Sequence, residues 1–414
     1  MVKDRLMIYE SKVIFRSGLI AAIVAARNGA NVIILERMDK VGKKILATGN
    51  GRCNITNIYA NSSNYHGLSK KISSTVFENF SVEQTIDFFE NLGIHTKVEN
   101  EGKVYPNSDQ ASSVLDVLRY EVNRLKIEEK CGEEVINIKK TKNNFIIKTI
   151  NNKYECECVI VATGGMASPK LGSNGSGYEL VKPLGHKVTD IFPALVQLKL
   201  DGKFFKKISG VKFIGVASLV NNKETKRQEE GEILFTNYGI SGPPILQLSR
   251  IASEYTAKNK PLEIHLDLFP QYNFKQLEAV MVKRIHQMSY KTIEESMIGL
   301  INKKLITIVL AQANIDNKNI MCHKISIKQI RAIVSLLKKW VFKVSGTNSW
   351  MQAQITAGGV NCNEISDKTL ESKLVKGLYL TGELLDVDGD CGGYNLQWAW
   401  SSGYIAGYNA SLSK

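Results

Sequence analysis

The chain contains 414 residues, of which 43% are hydrophobic and 23% charged, and its formal net charge is +14. This length allows two or three domains and a large core, and the composition excludes a largely disordered or fibrous protein. A basic excess suits nucleic acid, an anionic cofactor or an acidic partner, but the lysines are scattered along the sequence, which favours solvated faces over a nucleic-acid-binding stripe.

The cysteines and the apolar segments of the sequence indicate in which cellular compartment the protein is expected. The seven cysteines include no CxxC pair, which indicates a reducing setting and predicts no metal site. Cys156 and Cys158 alternate along a predicted strand, as packing residues do. No apolar run approaches the ~18 residues that span a bilayer, and residues 1–10 lack the apolar region of a signal peptide. We therefore expect a cytoplasmic protein without a membrane segment.

The first predicted unit is the second half of a βαβ motif. Ser17 is expected to cap a helix over residues 18–28, Gly29 ends that helix, and residues 31–36 form a β-branched strand that finishes in Glu36. In dinucleotide-binding folds, an acidic residue at this place binds the adenosine ribose hydroxyls. Glu36 is therefore a candidate ribose ligand.

The first half of this motif departs from the dinucleotide-binding pattern. Residues 9–18 read YESKVIFRSG, so Gly18 is the only glycine where a GxGxxG turn needs three. The side chains of Ile14, Phe15 and Arg16 would crowd a pyrophosphate that requires bare backbone. By this motif alone, the sequence predicts no dinucleotide site.

A second glycine-rich stretch points the other way. Residues 39–57 read DKVGKKILATGNGRCNITN, in which glycines alternate with basic and short polar residues. Such a stretch can wrap a phosphate-bearing cofactor with backbone N–H groups and cations. Its candidate binding residues are Lys43, Lys44, Thr48, Gly49, Gly51, Arg52, Cys53 and Asn54.

A third stretch lies near the carboxyl terminus. Residues 382–407 run from an acidic loop into Gly392 and Gly393 and then into an apolar segment without proline, which predicts a loop that leads into a helix. The N–H groups of a helix N-terminus favour an anionic or electron-rich ligand. An ordinary glycine turn before a packed helix is the alternative.

These stretches, with residues 159–186, 231–249 and 354–360, resemble the signature of the BaiN-like (YhiN-type) FAD-dependent oxidoreductases. That family includes aminoacetone oxidase-like and 3-dehydro-bile-acid reductase-like flavoproteins. The resemblance implies FAD as the cofactor, NAD(P)H as the electron donor and a small organic substrate. Only residues 5–16 depart from the family pattern, which has a glycine-rich turn there. Either a compensated frameshift or the divergence of a homologue that has lost FAD would produce this departure.

The resemblance also assigns further site residues. Gly382, Glu383 and Asp388 are expected to contact the ribityl and pyrophosphate groups, and Val135 to hold the adenine by its backbone. A helix N-terminus at Gly393 would stabilise negative charge on the flavin pyrimidine ring. The remaining candidate cofactor-binding residues are Ser17, Gly18, Arg37, Thr163, Gly164, Gly165, Tyr394, Asn395 and Leu396.

The predicted architecture is α/β, with a Rossmann-like FAD-binding domain built from both chain ends, residues 1–193 and 346–414. A β-rich domain is inserted at residues 194–272 and 325–345, and a helical subdomain at residues 273–324. Capping boxes begin helices at Ser81 and Ser326, and residues 131–162 are expected to form a β-meander that returns to the nucleotide-binding sheet.

The sequence identifies no catalytic acid or base. The six histidines match no site motif, Cys53 has no partner cysteine for a dithiol relay, and Ser/His/Asp, HExxH and Walker A motifs are absent. Three functions compete: an FAD oxidoreductase acting on a small molecule, an FAD-dependent RNA-modifying enzyme suggested by the charge, and a flavin-free homologue. The substrate and the oligomeric state stay open.

Overall fold

The structure is a computed structural model that describes residues 6–10 and 16–413. The chain separates into two compact units, Met1–Pro193 with Trp350–Lys414 (unit 1) and Ala194–Ser349 (unit 2). The expected crowding of a phosphate turn by residues 14–16 lies outside the described residues, apart from the backbone of Arg16.

The elements follow one another in three blocks along the chain. The first block contains β1 (Leu6–Glu10), α1 (Arg16–Arg27), β2 (Val32–Glu36), α2 (Lys43–Leu46), β3 (Thr56–Asn57), β4 (Tyr65–His66), α3 (Lys70–Asn79), α4 (Val82–Asn91), β5 (Thr96–Val98), β6 (Lys103–Pro106), α5 (Ala111–Arg124), β7 (Glu128–Cys131), β8 (Val135–Lys140), β9 (Phe145–Thr149), β10 (Lys153–Cys156), β11 (Cys158–Val161), α6 (Ser176–Val181) and β12 (Phe192–Ala194). The second contains β13 (Leu198–Leu200), α7 (Phe205–Ile208), β14 (Lys212–Asn221), β15 (Glu224–Thr236), β16 (Gly239–Ser241), α8 (Pro243–Ala257), β17 (Glu263–Asp267), α9 (Phe274–Gln287), α10 (Ile293–Met297), α11 (Lys303–Gln312), α12 (Ile327–Lys338) and β18 (Trp340–Thr347). The third contains β19 (Ile355–Ala357), β20 (Leu378–Leu380), β21 (Asp388–Gly389) and α13 (Tyr394–Leu412).

Unit 1 is organised around a five-stranded parallel sheet in the order β20-β11-β1-β2-β7. Strands β2 and β11 are buried along their whole length, as expected for apolar parallel strands that are covered on both faces. Strand β20 comes from the carboxyl-terminal segment, so both chain ends contribute to this sheet. The expected α/β fold with a Rossmann-like sheet is thereby confirmed.

Several local expectations in unit 1 hold. Strands β8, β9 and β10 form the antiparallel meander, and the chain then enters the parallel sheet through β11. Ser81 begins α4 with a capping box that includes Gln84. Cys156 and Cys158 are both buried, but they belong to two strands, because β10 ends at the first and β11 begins at the second.

The expected cap at Ser17 is wrong. Helix α1 begins at Arg16, so Ser17 lies inside the first turn. Its hydroxyl is fully buried and accepts a hydrogen bond from the Thr381 hydroxyl at 3.0 Å. A buried contact from the distant end of the chain therefore determines the role of this serine, and sequence pattern carries no signal for it.

Unit 2 is a closed six-stranded barrel, β13-β16-β15-β14-β17-β18, with helices packed on it. Helices α9, α11 and α12 share one apolar core with the barrel, and the Trp340 indole donates a hydrogen bond to Gln312 at 2.6 Å. Pro243 and Pro244 occupy the first turn of α8 after Gly242, and Ser326 caps α12, as expected.

The charge divides unevenly between the two units. Unit 2 carries 24 Lys and Arg residues against 12 Asp and Glu residues, a net of +12, whereas unit 1 carries 30 against 28, a net of +2. The basic excess that looks scattered along the sequence is therefore concentrated in unit 2. No helix in the described part of the chain combines the length and the apolarity needed to cross a membrane.

Candidate functional site

The carboxyl ends of the parallel strands in unit 1 converge on one edge of the sheet, the usual ligand site of such folds. This edge carries Glu36 at the end of β2, Thr163 just after β11 and Thr381 just after β20. Helix α1 begins at the same edge, because it follows β1 in the centre of the sheet. Gly18 is buried in its first turn.

Glu36 is the most unusual carboxylate of this edge. Its side chain is fully buried, and Oε1 accepts a hydrogen bond from the Met38 N–H at 2.6 Å. Oε2 is buried and has no hydrogen-bond partner among the described residues. Burial raises the pKa of Glu36 to about 8, since the charged form loses its hydration. A ligand hydroxyl that donates to Oε2 would satisfy this buried oxygen.

Arg37 and Val135 extend the site along the sheet edge. The Arg37 guanidinium pairs with Glu134 at 2.7 Å and contacts the Gly172 carbonyl at 3.4 Å. Val135 follows Glu134 directly and is buried, and it lines a cavity of about 710 Å³ together with Met166 and Tyr178. The structure therefore places Val135 in the cavity wall next to Glu134, and Glu134 pairs with Arg37.

Lys44 joins three loops of the site. Its ammonium lies 3.6 Å from the Glu383 carboxylate and donates to the Ser173 hydroxyl at 3.1 Å, and the lysine is 5% exposed. Glu383 also accepts a hydrogen bond from the Thr356 N–H at 2.8 Å. Both members of this largely buried pair also form hydrogen bonds with other protein groups. Lys44 and Glu383 therefore link the loops of the site.

Lys43 and Arg52, which were expected to face a phosphate, both form ion pairs with protein carboxylates. Lys43 pairs with Asp39 on the surface. Arg52 pairs with Glu99 and Asp109, and its guanidinium lies 4.0 Å from the centroid of the Tyr105 ring. These carboxylates raise the pKa of Arg52 above its usual range. Both cations are therefore paired with protein carboxylates in this structure, and their role toward a ligand stays a prediction.

The turn over residues 48–54 depends on left-handed backbone. Gly49, Asn50, Gly51 and Cys53 all have positive φ, between 54° and 86°. Asn50 and Cys53 adopt this region although it is uncommon for residues other than glycine. Cys53 is fully buried, and its N–H donates to the Thr48 carbonyl at 3.0 Å. The turn is a compact, fixed loop that carries Asn54 at its end.

Asn54 faces the N-terminus of α13. Its side chain is 7% exposed, and its buried Oδ1 has no hydrogen-bond partner among the described residues. A Cβ atom at Gly393 would lie 2.9 Å from that oxygen and 2.5 Å from the Thr56 carbonyl oxygen. The amide oxygen of Asn54 and the first turn of α13 therefore lie side by side.

The first turn of α13 begins with two left-handed glycines, Gly392 with φ 125° and Gly393 with φ 104°. The Asn395 side chain clamps the preceding loop, since its Oδ1 accepts from the Gly389 N–H at 2.8 Å and its amide donates to the Gly389 carbonyl at 2.8 Å. The Tyr394 carbonyl accepts a hydrogen bond from the Tyr65 hydroxyl at 2.8 Å, and Leu396 is buried. The side chain of Asn395 is therefore structural, whereas the N–H groups of this turn have no intrahelical acceptors.

Three buried side chains of α13 anchor the helix by hydrogen bonds that were not expected from the sequence. They belong to Gln397, Trp398 and Trp400. The Gln397 side-chain nitrogen donates to the Thr85 hydroxyl at 2.8 Å, and its amide oxygen accepts a hydrogen bond from the Thr56 hydroxyl at 2.5 Å. The indoles of Trp398 and Trp400 donate to the Gly382 and Ile55 carbonyls, both at 2.9 Å. The polar Gln397 within an apolar helix is the signal that could have revealed this network.

The loop after β11 packs too tightly to admit side chains at its glycines. A Cβ at Gly165 would clash with the Thr356 hydroxyl, and Gly164 has φ 64°. Thr163 is buried against Gly177, where a Cβ would also clash.

Two more candidates lie in the acidic loop. The Gly382 N–H donates to the Ser402 hydroxyl at 3.0 Å. Asp388 is 1% exposed, in the short strand β21 that pairs with β4. The structure thus places Gly382 and Asp388 in the loops that flank α13.

Comparison with known proteins identifies the family of the chain. The family model for the HI0933-like protein Rossmann domain matches residues 16–409. The chain is 40% identical over 397 residues to a 3-dehydro-bile acid delta(4,6)-reductase from Clostridium scindens, covering 95% of this chain and 97% of that protein. It is 29% identical over 401 residues to a ribosomal RNA dihydrouridine synthase from Haemophilus influenzae, covering 95% and 96%.

A solved structure agrees at the level of the fold. The 3-ketosteroid delta1-dehydrogenase from Sterolibacterium denitrificans superposes with a TM-score of 0.51 at 11% identity, covering 100% of both chains. The family model and the relative at 40% identity together establish that this chain is an oxidoreductase that belongs to the HI0933-like Rossmann-domain family.

Proposed function

We propose that unit 1 binds FAD and that the protein uses it to reduce a small organic substrate. The observation that carries this proposal is Glu36, a fully buried carboxyl group at the end of β2 whose Oε2 has no partner among the described residues. A ribose hydroxyl of the adenosine half would donate to that oxygen. Val135 would contact the adenine, in the cavity wall next to the Arg37–Glu134 pair.

The opposite end of the site fits the flavin ring. When bound, FAD supplies hydride transfer. The first-turn N–H groups of α13, at Tyr394, Asn395 and Leu396, would stabilise negative charge at the pyrimidine end of the ring. Asn54 would accept a hydrogen bond from a ring N–H through its buried oxygen, which lacks a partner among the described residues. The tight glycines of this end leave room for a flat ring to approach the backbone.

The proposed substrate class is a ring carbon–carbon double bond conjugated to a carbonyl group. The names of the two relatives both describe reduction of a double bond in a ring, in a bile acid and in uridine. Such a substrate gains a hydride at one carbon and a proton at the other, and we propose NAD(P)H as the source of the electrons.

A second candidate substrate is an unsaturated base within RNA. The +12 charge of unit 2 favours it, because cations that neutralise phosphates supply most of the affinity for nucleic acid. The relative at 29% identity, which is named for ribosomal RNA, points the same way. The seven cysteines, which include no CxxC pair, favour a reducing cytoplasm, where either substrate would be met.

Anaerobic turnover assays distinguish these functions. The protein is mixed with FAD and NADPH or NADH and offered a cyclic enone steroid in one arm and unmodified ribosomal RNA in the other. Oxidation of the nicotinamide together with the saturated steroid product supports the leading proposal, and dihydrouridine in the RNA supports the second. A protein that retains no flavin after unbound FAD is removed by gel filtration would leave only the flavin-free alternative.

A further inference from the structure

Unit 2 contains a lysine-rich surface that the flavin site does not use. Lys206 and Lys207 lie on α7, and Lys303 and Lys304 begin α11; all four side chains are exposed. Helices α7 and α11 pack together, and the Lys304 ammonium donates to the Ser209 carbonyl at the end of α7 at 3.2 Å. These four residues therefore form one surface, called here the lysine cluster.

The lysine cluster is not neutralised by the protein. Among the described residues, none of its four lysines forms an ion pair, whereas Lys212 nearby pairs with Glu232 at 2.8 Å. Two of the four also occupy the first turn of α11, which has no acidic residue. Cations at a helix N-terminus oppose the helix dipole. Their placement therefore costs stability locally, which points to a role other than holding the helix.

A cavity opens beside the lysine cluster. Its volume is about 300 Å³, and its lining includes Phe213, Phe269, Leu300 and Asn302, the residue that caps α11. Two aromatic rings and aliphatic side chains give it a largely apolar wall, to which Asn302 adds an amide and Lys212 an amino group. Its volume lies at the lower end of small-ligand pockets. An apolar, aromatic slot suits one flat ring, and the lysines that follow Asn302 suit phosphates attached to that ring.

We propose that this surface binds single-stranded RNA, with one unpaired base in the cavity and the neighbouring phosphates on the lysine cluster. Aromatic stacking combined with cations that follow the backbone is the usual way in which single strands are bound. The net charge of +12 on unit 2 provides the long-range attraction. The four lysines lie on two helices beside the cavity. This distribution favours a single strand of nucleic acid over a flat anionic membrane as the ligand. The inference does not rest on the proposed flavin site.

Fluorescence anisotropy of a labelled oligouridylate, titrated with the full-length protein at several salt concentrations, tests the proposal. The variant Lys206→Gln/Lys303→Gln removes two charges from the lysine cluster. The matched control, Lys223→Gln/Lys260→Gln, removes two exposed charges near the far end of strand β14. We expect the first variant to weaken binding at least about fivefold and to reduce the salt slope by roughly 1.4, about 0.7 for each lost phosphate contact. The control should stay within about twofold of the parent.

A third variant tests the cavity. Phe269→Leu keeps an apolar wall but removes a ring, so we expect weaker binding with an unchanged salt slope, because stacking carries no charge. Equal losses in the cluster and control variants, an absence of RNA binding at low salt, or full affinity in Phe269→Leu would each overturn the proposal. Binding to phosphatidylserine vesicles that displaces the RNA with the same dependence on the cluster would overturn it in favour of a membrane. FAD titration of the same variants, expected to be unchanged, separates failure here from failure of the flavin site.

Discussion

The two ends of the proposed FAD site are built in different ways. The adenosine end depends on one side chain, Glu36, whose second oxygen has no partner among the described residues. The flavin end depends on backbone shape, with Gly393 pressed against Thr56 and α13 anchored by Gln397. A change of side-chain chemistry should therefore damage the first end, whereas a change of shape should damage the second.

The largest effect is expected at Gly393. The variant Gly393→Ala forces a Cβ into a backbone with φ 104°, 2.5 Å from the Thr56 carbonyl oxygen. Strain of about 1–3 kcal/mol and displacement of the first turn of α13 should reduce FAD affinity at least about 100-fold, measured by flavin fluorescence quenching.

Gly29→Ala is the matched control for this change. Gly29 also has positive φ, 86°, but a Cβ there meets nothing within 4 Å. We expect it to lose only about 1 kcal/mol of stability and to bind FAD normally. Equal affinity in the two variants would show that the backbone of α13 does not shape the site.

Lys43 and Lys44, at the start of α2, allow a buried and an exposed ion pair to be compared by their effects on the free energy of unfolding. Lys44→Met leaves the Glu383 carboxylate without its buried partner, which should cost about 3 kcal/mol of unfolding free energy. Lys43→Met breaks only a surface pair with Asp39 and should cost at most about 0.5 kcal/mol. Urea denaturation of both variants measures the difference, and equal costs would contradict the burial of the first pair.

At the adenosine end, Glu36→Gln keeps the shape and an acceptor oxygen but removes the charge. Above pH 8, where the Glu36 carboxyl group is ionised, loss of a charge-assisted hydrogen bond to ribose should weaken FAD binding about 10-fold to 100-fold, the equivalent of about 1.5–3 kcal/mol. Thermal unfolding of the apo variant checks that the fold survives. An unchanged dissociation constant would remove Glu36 from the site and would leave its burial unexplained.

The same residue gives a pH dependence. The pKa of Glu36 is raised to about 8 in the folded protein from an ordinary value of 4.5, so the folded state binds the proton more tightly than the unfolded state. Its contribution to stability is full below pH 4.5 and is lost as the pH rises through about 8. Apo protein should therefore lose up to about 5 kcal/mol across this range relative to Glu36→Gln. Parallel curves for the two proteins would contradict the raised pKa.

Local patterns in the sequence predict the parts of the molecule that local interactions determine. The capping boxes at Ser81 and Ser326 and the position of Glu36 at a strand end follow from spacing alone. The pairing of Lys44 with Glu383 does not, because the partners are separated by most of the chain and only the folded loops bring them together. The same holds for the hydrogen bond that Gln397 receives from Thr56.

Two further features could not be derived from the sequence, for distinct physical reasons. The glycine-rich stretch correctly indicates a tight turn, but its cations Lys43 and Arg52 are taken by nearby carboxylates, which sequence spacing does not reveal. The basic excess looks diffuse until charges are counted within unit 2, whose boundaries come from the fold. Such features depend on tertiary contacts, which periodicity and propensity do not encode.

The most direct test of the central claim is a titration of the apo protein with FAD, followed by absorption and fluorescence. We expect saturable binding of one FAD per chain with a shifted flavin spectrum, loss of binding in Gly393→Ala and retention in Gly29→Ala. An apo protein that gains no flavin spectrum at any FAD concentration, while remaining folded, would contradict it.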